Sequence, residues 1–254
     1  MEEIIAASIP RTGSVLIYNI LRALHEQVIK THNFEKYFQH PGPFVITYRD
    51  PLDVFCSFWR IDVETAISIG RRQEFDYTIN ERNALRLADK VVFEFIRLSI
   101  FLHTQIILNN NHNMLFLKYE EFWDDHNIIY DKLADFFKVE IPLETRHIIS
   151  KNFSIKKAVK TQQKYKDFNE WDPISFIHGF HVGPAKPGKW WAENKNKMTQ
   201  DAVNYIKKRL CMYRRMYGYE KISGEEFIQD LLNQNHNRMQ IIKTQHETKG
   251  LVLD

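Results

Sequence analysis

The stretch from residue 44 to residue 60 constrains the fold more than any other part of the chain. Phe44-Val45-Ile46-Thr47 is an apolar run of strand length that passes through Tyr48 straight into Arg49. A helix start follows at once. Asp50 suits the N-cap, Pro51 the first helical position, and Asp53 lies three residues past the cap as an acidic relative of a capping box. Arg49 is thereby put at a strand's carboxyl end, beside the free amides of a helix N-terminus, with Ser57 about two turns further in. Guanidinium, hydroxyl and unpaired amides together suit a phosphate.

The same design occurs nearer the N-terminus. Ile4-Ile5-Ala6-Ala7-Ser8-Ile9 is a short apolar run, and Pro10-Arg11-Thr12-Gly13-Ser14 makes a tight loop after it. The following residues carry Ile17, Ile20, Leu21, Leu24 and Val28 at helical spacing, which predicts one apolar face. Strand, basic and hydroxyl-bearing loop, then helix is the plan of a P-loop-type phosphate cradle. It is not a Walker A loop, because the first glycine and the Gly-Lys-Ser/Thr ending are absent. Taken alone, it reads equally well as an ordinary strand-to-helix turn.

A coarse reading predicts strands at 4–9, 29–32, 44–48 and 114–118, and helices at 14–28, 51–60, 80–108, 126–137 and 199–217. Strands alternating with helices imply an α/β fold: a single domain of three layers around a central, mostly parallel sheet, with ligands at its carboxyl edge. Residues 61–79, with Gly70-Arg71-Arg72, read as a loop or a lid. Residues 143–178, with Phe153, Tyr165, Phe168, Trp171 and Phe176, either line a substrate pocket or pack as irregular helix. The domain is expected to span 1–220. The polar extension 221–254 is expected to be helical or partly disordered, and is a candidate for self-association.

Composition narrows the chemistry. The 254 residues are enough for one large core, and 44% hydrophobic with 26% charged residues is ordinary for a soluble protein. The most apolar long stretch, 91–108, holds Glu94, Arg97, His103 and Gln105, so it reads as a buried helix and not as a membrane span. A net charge of +3 makes the basic residues a local cluster instead of a global field, and no nucleic-acid partner is expected. Two cysteines, Cys56 and Cys211, fall in predicted helices as small apolar groups. With no secretory apolar segment at the start, they suggest a cytoplasmic setting. Neither Cys-x-x-Cys nor His-Glu-x-x-His is present and the 11 histidines are scattered, so no metal site is expected.

Together with two later segments, the loops resemble those of the sulfotransferase family that uses 3′-phosphoadenosine 5′-phosphosulfate as donor. Pro10-Arg11-Thr12-Gly13-Ser14 is similar to that family's Pro-Lys-Ser-Gly-Thr-type loop, and Tyr48 through Ser57 to its Tyr-Arg-x-Pro-x-Asp-Val-x-x-Ser segment. Leu117-Lys118-Tyr119-Glu120-Glu121-Phe122 resembles its strand ending in Tyr-Glu-Asp-Leu. Gly183-Pro184-Ala185-Lys186-Pro187-Gly188-Lys189-Trp190 resembles its late Gly-x-x-Gly-x-Trp loop. The resemblance implies that Arg11, Thr12, Gly13, Ser14 and Val15 hold the 5′-phosphosulfate. It gives Arg49 and Ser57, with the late loop's Lys186, Pro187, Gly188 and Lys189, the 3′-phosphate, and it puts Tyr119 near the adenine.

Lys30-Thr31-His32 resembles the family's Lys-Thr-His segment, which makes His32 the implied base and Arg11 its catalytic companion on the leaving phosphate. His178 and His181 are alternative bases, and Lys30 is a candidate at the sulfate. Two positions depart from the pattern. Arg11 stands where the family usually has lysine, and Leu16 where many members have a tryptophan that stacks on adenine. Adenine packing then falls to Tyr119 or to a residue the pattern does not identify. The implied reaction is in-line sulfuryl transfer to a hydroxyl or amine of a small molecule or glycan, leaving adenosine 3′,5′-bisphosphate and needing no metal. A non-catalytic nucleotide-binding protein of the same fold and a P-loop-type kinase remain as rival readings.

Overall fold

The computed structural model describes residues 3–68, 78–108, 111–183 and 186–220. Four parallel strands form one sheet: β1 (Ile4–Ser8), β2 (Val28–Thr31), β3 (Phe44–Tyr48) and β4 (Met114–Lys118), in the order β2-β1-β3-β4. The register sets Ala6 beside Lys30 on one side and Val45 on the other, and Val45 beside Leu115. Successive side chains of a strand point to opposite faces. Ile5, Ala7, Phe44 and Ile46 therefore enter one core, and Ile4, Ala6, Val45 and Leu117 the other.

The first core is covered by α2 (Pro51–Ser68), α3 (Glu81–Ile107) and α9 (Gln200–Met216). The second is covered by α1 (Ser14–Leu24), α5 (Asn127–Phe137) and α6 (Leu143–Asn152). The three layers are those expected of alternating strands and helices. Short helices α4 (Tyr119–Phe122), α7 (Ile155–Gln162) and α8 (Lys189–Asn194) complete the α-helices of the described residues.

Several predicted boundaries move, each for a local reason. Helix α1 stops at Leu24 because His25 turns extended and its N–H closes on the Leu21 carbonyl, so Val28 opens β2 opposite Ile4. Helix α2 does not end at residue 60. It runs on to Ser68 with no glycine or proline to stop it, and Arg60 and Glu64 pair one turn apart. Residues 61–68 of the expected loop are therefore helix, and residues 69–77 lie outside the described residues, as do 221–254. Helix α3 is amphipathic instead of wholly buried: Phe95 and Phe101 are fully covered, whereas Ile107 is 68% exposed. Among the described residues no helix is long and apolar enough to cross a membrane.

Candidate active site

All four strands deliver a functional candidate at the same edge. Arg11 follows β1, His32 follows β2, Arg49 follows β3 and Tyr119 follows β4. In an open parallel sheet this carboxyl edge is where ligands bind. A cavity of about 980 Å³ opens there, and Arg11, Gly13, Ser14, Val15, His32, Arg49, Ser57 and Tyr119 all line it.

The first loop is held from within. Thr12 is fully buried, and its hydroxyl donates to the Ile9 carbonyl (2.7 Å) and meets the Thr47 hydroxyl on β3 (2.7 Å). Its side chain is thus a loop fastener turned away from the cavity, which leaves the backbone amide as its means of meeting a ligand. Gly13 has φ +86° at the N-cap of α1, and a Cβ there would lie 3.0 Å from the Tyr119 ring. Behind it the first amides of α1 have no carbonyl one turn back to bond to.

Arg11 also has positive φ (+74°), a conformation costing of order 1 kcal/mol for a residue with a Cβ. Its guanidinium compensates by reaching across the cavity. Nε donates to the Ser57 hydroxyl (2.9 Å), Nη2 to the His181 carbonyl (2.9 Å), and the plane lies 5.4 Å from the Phe168 ring centre. Burial, then the charges of Arg60 and Arg49, bring its pKa down to about 9. A cationic site that repels its own members is one prepared for an anion.

Arg49 lies over the Tyr119 ring at 4.2 Å and donates from Nη2 to Asp53 Oδ2 (3.1 Å). Its buried Nε has no hydrogen-bond partner among the described residues. The sequence reading of Asp53 as a capping-box acid is corrected here. The Asp50 N–H donates to Glu120 instead (3.0 Å), and Asp50 itself caps Leu52 N (2.9 Å). Both carboxylate oxygens of Asp53 receive the Gly188 N–H, at 3.0 and 2.9 Å. Asp53 is therefore the tie that docks the late loop onto α2.

That loop presents backbone more than charge. Lys186 and Lys189 are exposed and lie outside the cavity lining, and the Lys189 ammonium stands 3.7 Å from Glu193 one turn along α8. Pro187 and Gly188 lie outside the lining too, while Gly183 and Trp190 belong to it. Pro184 and Ala185 are outside the described residues.

His32 is held as a neutral imidazole of fixed orientation. Its Nδ1 lies 2.7 Å from the Ser8 carbonyl. A carbonyl only accepts, so the proton sits on Nδ1 and Nε2 keeps its lone pair. The Lys30 ammonium donates to Nε2 at 3.2 Å. Burial and the Lys30 charge lower the His32 pKa to about 4, and burial with the Arg11 charge lowers that of Lys30 to about 8. Both groups are thus poised to gain stabilisation from an anion.

The opposite wall comes from the segment that sequence left ambiguous. Phe153, Ile155, Ala158, Thr161, Phe168 and Ile177 line the cavity, so residues 143–178 supply helices α6 and α7 and a pocket wall at once. His178 and His181 are also in the lining, stacked in line with Phe168. Burial lowers the pKa of both, that of His181 strongly.

Sequence reasoning missed Arg60. It is 5% exposed, pairs with Glu64 and donates from Nη2 to the Phe180 carbonyl (2.9 Å). A Cβ at Gly183 would lie 2.5 Å from its Nε, so any larger residue there would have to displace the Arg60 guanidinium. The signal was present: Asp53, Ser57, Arg60 and Glu64 recur at helical spacing on a helix whose other residues are mostly apolar. A polar stripe on a buried helix has to meet something polar.

The family model described as a sulfotransferase domain matches residues 24–224. The match begins at the last residue of α1, so the Pro10–Ser14 loop stands outside it. That loop is joined to the matched part by the Arg11–Ser57 and Thr12–Thr47 contacts. No curated protein matches the chain.

Proposed function

The chain belongs to the sulfotransferase family and is a transferase of sulfuryl groups, and from that premise we propose that its donor is 3′-phosphoadenosine 5′-phosphosulfate. The observation that supports this reading is the neighbouring placement of two cationic groups, Arg11 and Arg49, at one sheet edge, with Ser57 hydrogen-bonded to the first. The first belongs to the amide-rich loop at Arg11 and Gly13. The second is Arg49, whose buried Nε has no hydrogen-bond partner among the described residues. A nucleotide with phosphate groups at both its 3′ and 5′ positions needs two such groups. Arg49's planar fork suits the 3′-phosphate, with Ser57 beside it. Arg11 and the free amides of Ser14 and Val15 suit the 5′-phosphosulfate.

The acceptor is a hydroxyl or amine entering from the Phe168 side. His32 Nε2 takes its proton, the acceptor atom bonds to sulfur in line, and the sulfur–oxygen bond to the 5′-phosphate breaks. Arg11 stabilises the charge that collects on that phosphate. Lys30 holds the His32 lone pair in the unliganded protein, and a sulfuryl group offers its ammonium a stronger, anionic partner. The same negative charge raises the basicity of His32.

Thermal unfolding with adenosine 3′,5′-bisphosphate, set against AMP and against ATP with magnesium, tests the donor. At about a hundred times its dissociation constant a ligand adds about 2.7 kcal/mol. A shift with the bisphosphate alone is expected. A shift with ATP alone would assign the site to kinase-type chemistry.

A further inference from the structure

We infer that Trp123 supplies the stacking face for the nucleotide base, an inference that rests on the donor reading above. Leu16, on α1, has no ring to offer. Tyr119 has one, but its face is covered: Arg49 lies over it at 4.2 Å, Phe122 meets it edge-on at 5.5 Å, and Gly13 fits closely beside it. The same cation that grips phosphate therefore occupies the ring expected to hold the base.

Trp123 stands one turn beyond Tyr119, and its N–H closes α4 on the Tyr119 carbonyl (3.0 Å). Residues four apart on a helical turn share a side, so the indole lies on the cavity side next to the covered ring. It is half-buried and lines the cavity along with Leu16, Phe153 and Ile155. The indole also borders a smaller recess shared with Ile155. Among the described residues no aromatic ring or cation stacks on it, whereas Trp59, Trp190 and Trp191 are all buried in ring contacts. A half-buried indole that carries no stacked ring or cation among the described residues, in a cavity also lined by the aliphatic Leu16 and Ile155, suits a flat heterocycle.

The full chain and its Trp123→Leu and Trp123→Phe variants would be titrated with adenosine 3′,5′-bisphosphate and, as a base-free probe, with inorganic pyrophosphate. Binding would be read by calorimetry and by indole fluorescence. The expected result is a roughly tenfold loss of bisphosphate affinity in Trp123→Leu, with pyrophosphate binding unchanged. Trp123→Phe should recover most of the affinity, and the ligand-induced fluorescence change should shrink in both variants to what the lining Trp190 contributes. Equal bisphosphate affinity in wild type and Trp123→Leu overturns the inference and leaves the donor reading standing. So does a loss shared equally by pyrophosphate. A wild type that binds pyrophosphate but not the bisphosphate overturns both.

Discussion

Replacing Asp53 by alanine tests the idea that one buried carboxylate organises the anion site. Asp53 is 5% exposed and has three hydrogen bonds: two oxygens share the Gly188 N–H at 3.0 and 2.9 Å, and Oδ2 also takes Arg49 Nη2 at 3.1 Å. Its loss strands the largely buried Arg49 guanidinium and leaves the Gly188 N–H without its acceptor. Removing one partner of a buried ion pair costs about 3–5 kcal/mol. Asp53→Asn should cost less, about 1–2 kcal/mol, because the amide oxygen still accepts from Gly188. At about 2–4 °C per kcal/mol for a domain of this size, the alanine variant should melt roughly 10 °C lower. Adenosine 3′,5′-bisphosphate should then stabilise Asp53→Ala by more than it stabilises wild type, since a phosphate gives Arg49 back an anionic partner. Denaturant unfolding of the three proteins, each with and without ligand, measures both effects. An alanine variant within about 1 kcal/mol of wild type, or one that gains no more from the ligand than wild type does, would refute the reasoning.

Two further outcomes follow from His32. Its replacement by alanine should lower turnover by about 10²–10⁴-fold, the usual contribution of a general base, while bisphosphate affinity by calorimetry stays within about twofold; undiminished turnover would remove His32 from the mechanism. Stability should also depend on pH in a fixed direction. Burial holds the folded His32 near pKa 4 against 6.5 in the unfolded chain, so the unfolded state binds more protons between those values. The stabilising contribution is complete above pH 6.5 and is lost as pH falls toward 4. It amounts to about 2 kcal/mol between pH 7 and pH 5. Urea midpoints at the two pH values should show that loss, and His32→Ala should show a smaller one; a flat wild-type profile would contradict the burial argument.

Much of the site was legible because its determinants are local. An apolar run that breaks into Arg49-Asp50-Pro51 states a strand end and a helix start within a few residues, and the structure has β3 and α2 at those places. The Pro10–Ser14 loop declared itself in the same way. Parallel strands with short strand-to-helix loops then bring all such loops to one edge, whatever the rest of the chain does. Where reading failed, two local codes competed. Val28 fits a helical face as well as a strand, and only pairing with Ile4 decides between them.

By itself, then, the sequence determined the order of the four strands and of the five longest helices, the two basic loops, and the Lys30–His32 segment at the end of a strand. Tertiary structure alone decided what those side chains face. Thr12 turned inward to Thr47, Asp53 became the anchor of a glycine 135 residues away, Arg60 took a backbone carbonyl 120 residues away, and Arg49 covered the ring of Tyr119. The physical reason is reach. Helical and strand periodicity couple a residue to neighbours two to four positions off. The partner of a buried charge is instead whichever polar group the completed fold brings within hydrogen-bonding distance, and no local pattern records it.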